Sequence, residues 1–479
     1  MSVQNLTFAY PDSPYYVFEN AAFVFDTGWK CGLVGRNGCG KSTLLDILQG
    51  KYTATVTSGV LFSCFPCNIV GETGLDIIEN VSGAEQWRIL AEVSKLALDA
   101  EALYKPLDTL SGGERAKAML AALFLDCELN GKFPLIDEPT THLDTVGRVA
   151  VTKYLSRKDG FILVSHDRVL LNSVCDHTVA INNADIEVIQ GNYNVWRENF
   201  LRKEQYEQTQ NERLKQDIAR LETSAREISA RSENIEKHKR GVNSAGLKND
   251  TGFMGHKAAK VMQLSKNAMK RAEGAIAEKS ELLKNAYKTA VLKIYPLVYR
   301  SEKLFDLRVN DVTYPILRGG KYALSGGNGS GKSTIMKSVC GIEVDYAPPV
   351  PFVLDIPKDI TVSYVPQNIN EITDITGVDD NLFRAILAML GVPSKDLKKI
   401  SANTDTDNFS SGQRKKLAIA ASLASPSHLY VWDEPLNYID VISAEQIEQL
   451  CRHPDMTLLF AEHDTMFAEN IGAEKIEIV

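Results

Sequence analysis

Nowhere in the chain do about eighteen apolar residues follow one another, the length a helix needs to cross a bilayer, so no membrane-spanning segment is expected. The opening residues Met1-Ser2-Val3-Gln4 lack the basic and then apolar profile of a secretory leader, and a cytoplasmic location is the expectation. The eight cysteines, at 31, 39, 64, 67, 127, 175, 340 and 451, are too scattered for a disulfide framework and suit a reducing compartment. Cys64-Phe-Pro-Cys67 has the spacing of half a zinc site, but no second C-x-x-C or close histidine pair completes it. It reads as structural.

What is present is a chain of 479 residues, too long for one core and suggestive of about three units. Hydrophobic residues at 44% and charged residues at 24% are ordinary for a globular protein. The net charge of −8 conceals an uneven distribution: 20 Lys and Arg face 13 Asp and Glu between Arg197 and Ala290. That stretch carries +7 and the remainder −15. Within Lys237–Arg271, nine basic residues face a single acid, Asp250. A basic middle on an acidic protein points one element at a polyanion.

An internal duplication brackets this segment. Gly35-Arg-Asn-Gly-Cys-Gly-Lys-Ser42 recurs as Gly326-Gly-Asn-Gly-Ser-Gly-Lys-Ser333, and Leu110-Ser-Gly-Gly-Glu114 as Phe409-Ser-Ser-Gly-Gln413. Leu135-Ile-Asp-Glu-Pro139 recurs as Val431-Trp-Asp-Glu-Pro435, and Ser165-His-Asp167 as Glu462-His-Asp464. The offsets are 291, 299, 296 and 297 residues. Four motifs in one order at nearly constant spacing define two homologous α/β domains, over 1–195 and 300–479. Cys31–Val34, Tyr322–Ser325, Phe161–Val164 and Thr457–Phe460 read as short buried strands, and helical sequence follows each glycine-rich loop.

The insert, 196–299, has another periodicity. Leu214, Ile218, Leu221, Ala225, Ile228 and Ile235 form one heptad stripe, and Ala258, Met262, Met269, Ala272, Ile276 and Leu283 form a second. Between them, 241–255 contains four glycines and two asparagines and reads as a loop. Two helices joined this way predict an antiparallel helical hairpin with its tip near 241–255.

The repeated motifs carry chemistry. A triphosphate needs a ring of backbone N–H donors and a cation, which a glycine-rich turn entering a helix supplies. Lys41 and Lys332 reach the β- and γ-phosphates in this reading, and Ser42 and Ser333 hold Mg²⁺. Asp137 and Asp433 end apolar runs, where a carboxylate can sit beside Mg²⁺. Glu138 and Glu434, next in sequence, are placed to polarise an attacking water, and His166 and His463 to face the γ-phosphate.

With these motifs the chain resembles the ABC ATPase superfamily, chiefly through the two signatures upstream of Asp-Glu-Pro. In that superfamily the signature of one domain covers the ATP held by the other. The resemblance implies a first site of Gly35, Asn37, Gly38, Gly40, Lys41, Ser42, Thr43, Asp137, Glu138 and His166, closed by Ser410, Ser411, Gly412 and Gln413. It implies a second of Gly326, Asn328, Gly329, Gly331, Lys332, Ser333, Thr334, Asp433, Glu434 and His463, closed by Ser111, Gly112, Gly113 and Glu114. Gln367 matches the family's Mg²⁺-binding glutamine at the second site. Thr141-His-Leu-Asp144 and Asn437-Tyr-Ile-Asp440 match the loops that cross the domain seam. Three departures stand out. Cys67 replaces the glutamine at the first site, and Ser411 replaces a signature glycine there, which predicts slower hydrolysis at that site. Tyr10 suits the adenine-stacking position of the first domain, while the second domain offers no clear equivalent.

Two such domains on one chain, joined by a long basic hairpin, resemble the ABC-F group over essentially the whole length. Asp433-Glu-Pro-Leu-Asn-Tyr-Ile-Asp440, the Gly-Arg-Asn-Gly run at 35–38, Thr251–Met262 and Arg271-Ala-Glu273 are similar to motifs of antibiotic-resistance ABC-F proteins of the Lsa/Vga kind. The resemblance implies a monomer whose two domains pair within the chain and bind ATP and Mg²⁺. It further implies a 70S ribosome partner, reached at 23S rRNA and P-site tRNA by the hairpin through the tRNA exit site, and no membrane. The drugs dislodged would be lincosamides, streptogramins A and pleuromutilins. A housekeeping ABC-F translation factor and the ATPase subunit of a transporter are the alternatives.

Overall fold

The computed structural model describes residues 2–11, 16–52, 56–57, 59–67, 71–141, 143–182, 185–238, 263, 267, 270, 294–327, 329–343, 349–368, 378–392 and 409–478. Two compact units divide the chain, Met1–Trp196 with Ala290–Val479 in one and Arg197–Thr289 in the other.

Both halves of the first unit are built on a parallel sheet. In the first half the strands lie in the order Leu61–Phe65, Lys132–Asp137, Phe161–Val164, Lys30–Val34, His177–Asn182 and Asp185–Gln190, with only the last antiparallel to its neighbour. In the second half the order is Val362–Val365, Leu429–Asp433, Leu458–Ala461, Lys321–Ser325 and Glu474–Glu477, all parallel. A three-stranded antiparallel sheet accompanies each: Phe18–Val24, Ser2–Phe8 and Val56–Thr57, then Val312–Leu317, Lys303–Val309 and Phe352–Leu354. The central strands are covered on both faces, which is why they read as unbroken apolar runs rather than as alternation. Phe161, Ile162, Leu163 and Val164 are all buried, as are Leu458, Leu459, Phe460 and Ala461.

This order places the chemistry. The strand that leads into each glycine-rich loop lies one strand away from the strand that ends in Asp137 or Asp433, with a buried strand between them. Asp137 stands in register with Val164, and Asp433 with Ala461, so each acidic residue and the following histidine loop leave the sheet at the same edge. Ligands of open parallel sheets bind outside the carboxyl ends of the strands, at such a crossover.

The helix Tyr193–His238 has 46 residues and is therefore about 69 Å long at ~1.5 Å per residue. Its root lies in the first unit, where Tyr193 and Trp196 are buried. There the Tyr193 hydroxyl donates to Glu445 Oε1 at 2.7 Å, and the Asn194 N–H donates to Asn172 Oδ1 at 2.9 Å. The linker root is thus fastened to both ATPase halves. Further along, Leu214, Ile218 and Leu221 of the first heptad stripe are half-buried among largely exposed neighbours. Of the second arm only Gln263, Asn267 and Lys270 are described; they are helical and exposed. The tip at 241–255 lies outside the described residues. No helix among the described residues is long and apolar enough to cross a membrane.

Candidate active sites

Each glycine-rich loop enters its helix, Lys41–Leu48 or Lys332–Val339, through a left-handed glycine, Gly40 at φ 103° and Gly331 at φ 98°. A Cβ at Gly40 would stand 2.6 Å from Val17 Cγ1, so neither backbone angle nor space admits another residue. Lys41 Nζ donates to the Gly35 carbonyl at 2.7 Å, and Lys332 Nζ to those of Gly326 and Gly327 at 2.8 Å. Both ammonium groups are thereby held over the loop that would wrap a phosphate.

The strand-end carboxylates meet the serines of the loops. Ser42 Oγ donates to Asp137 Oδ2 at 3.0 Å, and Ser333 hydrogen-bonds Asp433 in the same way. Burial pushes Asp137 above the usual carboxylate range and Asp433 up to about 6. Asp433 Oδ2 is buried with no hydrogen-bond partner. A buried carboxylate oxygen beside a serine hydroxyl and, at the second site, the Gln367 amide is a hard oxygen donor set that fits Mg²⁺.

Glu138 and Glu434 occupy a strained backbone conformation, at φ 53° and 45°. Each is pinned there by its own N–H, which donates at 2.9 Å to Val164 or Ala461 of the neighbouring strand. The turn aims each carboxylate at its histidine: His166 Nε2 lies 3.3 Å from Glu138 Oε1, and His463 Nε2 lies 3.7 Å from Glu434 Oε1. The two pairs are electrostatically unlike. Burial, reinforced by the charge of Asp137, pushes Glu138 up to about 8, and burial holds His166 down at about 3. Burial acts on Glu434 too, but His463, the Gln367 amide and Lys415 outweigh it and hold its carboxyl below the usual range. The Asn437 amide also donates to Glu434. Thr141 and Cys67, at the matching positions of the first half, supply no such amide.

The sites are composite. A cavity of about 640 Å³ is lined by Asn37, Gly38, Gly40, Lys41, Ser42, Thr43, Asp137, Glu138 and His166 of the first half and by Ser410, Ser411, Gly412, Asn437 and Tyr438 of the second. A second, of about 930 Å³, is lined by Gly329, Gly331, Lys332, Ser333, Thr334, Gln367, Glu434 and His463 together with Gly112, Arg115, Ala116 and Thr141. These are volumes that suit a bound small molecule. Across the first site the Asn37 amide donates to the Tyr438 carbonyl at 2.7 Å, and the Asn37 N–H donates to Asp440 Oδ2 at 3.1 Å. Asp440 is itself paired with Lys416 at 2.6 Å, both buried. Although burial opposes it, that lysine holds the Asp440 carboxyl well below the usual range.

Some expected residues stand elsewhere. Glu114 and Gln413 turn back onto their own helices: the backbone N–H of each donates to Ser111 or Ser410 Oγ, and their side-chain oxygens accept from the Ser111 and Ser410 N–H groups. The S-x-x-E/Q spacing is a capping box, and this accounts for the last signature residue being outside both cavity linings. Ser111 and Gly113 lie on the same capped turn, also outside the lining. Gly35 and Gly326 sit behind their loops, offering carbonyls to the lysines. Tyr10 lines the first cavity, its hydroxyl 2.8 Å from Thr43 Oγ1. The second rim offers Phe65, Pro66 and Pro349. Asn328 and His142 lie outside the described residues. Arg148, which lines both cavities, had no motif to announce it.

Two glycine-rich loops, each covered by the other half's signature, define a tandem ATPase with shared composite sites. The ABC transporter family profile matches the chain twice, over 18–141 and 309–437, and the chain belongs to that family, in its ABC-F group. It is 26% identical over 502 residues to the ribosome protection protein VmlR of Bacillus subtilis, covering 100% of this chain and 86% of that one. It is 25% identical to the erythromycin resistance ATP-binding protein MsrA of Staphylococcus epidermidis, over 94% and 92% of the two chains. The ATP-binding protein Uup of Caulobacter vibrioides is 26% identical over 96% of this chain and 74% of its own. Among solved structures, archaeal ribosome recycling factor aABCE1, in complex with stalk protein aP1, shares the fold with a TM-score of 0.59 at 18% identity, over 99% of this chain and 87% of that one. The protein is an ATPase that uses ATP with Mg²⁺.

Proposed function

We propose that this protein is a ribosome-binding ABC-F ATPase that protects the ribosome from drugs acting at the peptidyl transferase centre, of lincosamide, streptogramin A or pleuromutilin type. The observation that carries the reading is the linker root. A helix of 46 residues begins at Tyr193, tied to one half through Asn172 and to the other through Glu445. ATP-driven pairing of the halves therefore fixes both attachments of the helix at once. The excess of basic residues over Lys237–Arg271 suits it to RNA phosphates, with salt-dependent affinity. Full-length likeness to a protein named for ribosome protection and to one named for erythromycin resistance supports the same reading.

At each site the glycine-rich loop and its lysine would bind the triphosphate, the serine and aspartate would hold Mg²⁺, and the opposite signature would close the site. When bound, Mg²⁺ would supply positive charge that offsets that of the triphosphate. Glu138 and Glu434 orient water, and His166 and His463 hold those carboxylates in place. Tyr10 offers its ring to the adenine of the first site. The hairpin, 196–299, enters by the tRNA exit site and acts near 23S rRNA and P-site tRNA through its tip, where Phe253 can stack on an unpaired base.

The test is co-sedimentation of the Glu138→Gln/Glu434→Gln protein with 70S particles in ATP, together with drug susceptibility of a sensitive host expressing the chain. Sedimentation with ribosomes and raised resistance are expected. Replacing 245–254 by a Gly-Ser loop should leave ATPase activity and abolish protection. Ribosome binding without protection against any drug of these classes would replace this reading with that of a translation factor; association with membranes instead would reject both.

A further inference from the structure

Lys415 lies one turn into the helix Ser411–Ala424 and is completely buried. Its ammonium donates to the Asp433 carbonyl at 3.0 Å and to the Pro366 carbonyl at 2.8 Å. The first of these acceptors belongs to the peptide between Asp433 and Glu434. The second belongs to the peptide between Pro366 and Gln367. One buried cation therefore bridges the two segments that carry the carboxylates and the amide of the second site. Gln367 in turn hydrogen-bonds Glu434.

The other half has no equivalent. Counting from Leu110 and Phe409, the position of Lys415 is taken by Ala116. Its neighbour is duplicated, Lys117 against Lys416, but Lys416 serves Asp440. Burying an ammonium group is costly unless it is well bonded, and a short apolar side chain would fill the place at less cost, as Ala116 does. A charge kept there against that cost fixes something that packing alone does not.

We propose that Lys415 is a positioning residue for hydrolysis at the second site, holding the Gln367 and Asp433–Glu434 segments in one register so that the Glu434 carboxylate faces its water. The first site lacks this brace. The inference rests on Glu138 and Glu434 being the water-orienting carboxylates.

Turnover is therefore measured in two backgrounds that leave one site active each: Glu138→Gln reports the second site and Glu434→Gln the first. In the Glu138→Gln background, Lys415→Met should lower kcat about tenfold or more, the effect expected on losing hydrogen bonds from a charged group. KM for ATP should stay within about twofold, because the loop that binds the triphosphate is untouched. Lys415→Arg, which keeps two donors, should recover much of the loss. In the Glu434→Gln background neither change should alter kcat by more than about twofold. If Lys415→Met does not fold, Lys415→Gln serves in its place, its amide reaching one carbonyl instead of two. An equal fall of kcat in both backgrounds, or an unchanged kcat in the Glu138→Gln background, overturns the proposal. The Glu138→Gln/Glu434→Gln double variant separates the two possible failures: parental turnover there would show that the carboxylate assignment had failed, not the role of Lys415.

Discussion

The buried Arg168 of the first half and the partly buried Asp464 of the second form an ion pair at 2.9 Å, and the buried Glu448 shares the same guanidinium nitrogen. Arg168 follows His166-Asp167, and Asp464 follows His463, so this contact ties together the two loops that carry the site histidines. It has no mirror copy, because the residue 297 positions after Arg168 is Thr465. Removing the cation strands the buried Glu448 and the partly buried Asp464, and breaking a buried pair typically costs about 3–5 kcal/mol. Arg168→Met should therefore lower thermal stability by several degrees. Adding Glu448→Gln and Asp464→Asn should recover most of the loss, because the repulsion they cause goes with them. A triple variant no more stable than the single one would show that the network does not couple the halves.

Gly412 packs tightly at the first site's seam. A Cβ there would stand 2.1 Å from Asn37 Nδ2 and 2.6 Å from the Tyr438 carbonyl, the two atoms that hydrogen-bond each other across the halves. Asn37 can swing away, but the backbone of Tyr438 cannot. Gly412→Ala should thus weaken ATP-dependent pairing at the first site, through Asn37, and lower the unfolding midpoint as well, because Tyr438 belongs to the same half as Gly412. Distance measurement between labels on the two halves, with and without ATP, reads this directly; undiminished closure in the variant would contradict it.

The sheet strands were legible because doubly covered parallel strands are continuous apolar runs. Phe161–Val164 is a strand over the same residues, and the run at Thr457–Phe460 is one over Leu458–Ala461. The loops and carboxylates that the structure gathers at the two cavities were legible because their motifs recur. What escaped the sequence is the contact between the halves made outside the seam-crossing loops and signatures. Arg168 and Asp464 are 296 residues apart; Asp464 ends a repeated motif but Arg168 belongs to none, and Arg148 is one arginine on a helix. Lys415 follows Arg414 and precedes Lys416, a charge run that reads as a solvated helix face although Lys415 and Lys416 are both buried. Which lysine of such a run turns inward depends on the partner carbonyls, and those are set by the tertiary fold.

Inequality of the two sites was expected from Cys67 and Ser411, and the structure adds a reason. Glu434 receives the Gln367 and Asn437 amides, whereas among the described residues the Glu138 carboxylate accepts the His166 backbone N–H, at 3.3 Å, and no side-chain amide. Orientation of water depends on a fixed carboxylate, so Glu434→Gln should lower total ATP turnover severalfold more than Glu138→Gln does. Single-variant steady-state rates decide it, and equal losses would sink the idea.

The same difference should appear as a difference in pH dependence. Glu138, raised to about 8 by burial and by Asp137, carries its proton at neutral pH, and a protonated acid cannot accept one from water. Glu434, held below the usual range, is ionised from weakly acidic pH upward. First-site turnover, isolated by Glu434→Gln, should therefore climb as the pH rises toward about 8. Second-site turnover, isolated by Glu138→Gln, should already be level over that interval. His166, held down at about 3, is neutral throughout and cannot produce the limb. Mg²⁺ beside Asp137 adds positive charge and shifts the first-site limb to lower pH, as a bound cation does for nearby acids. It acts on both sites and so leaves their order intact: the acidic limb of the first site lies at the higher pH. Profiles of kcat against pH for the two single variants, at saturating ATP and Mg²⁺, measure that order. Coincident limbs, or a second-site limb at higher pH than the first, would show that the carboxylates do not differ in the way their surroundings require.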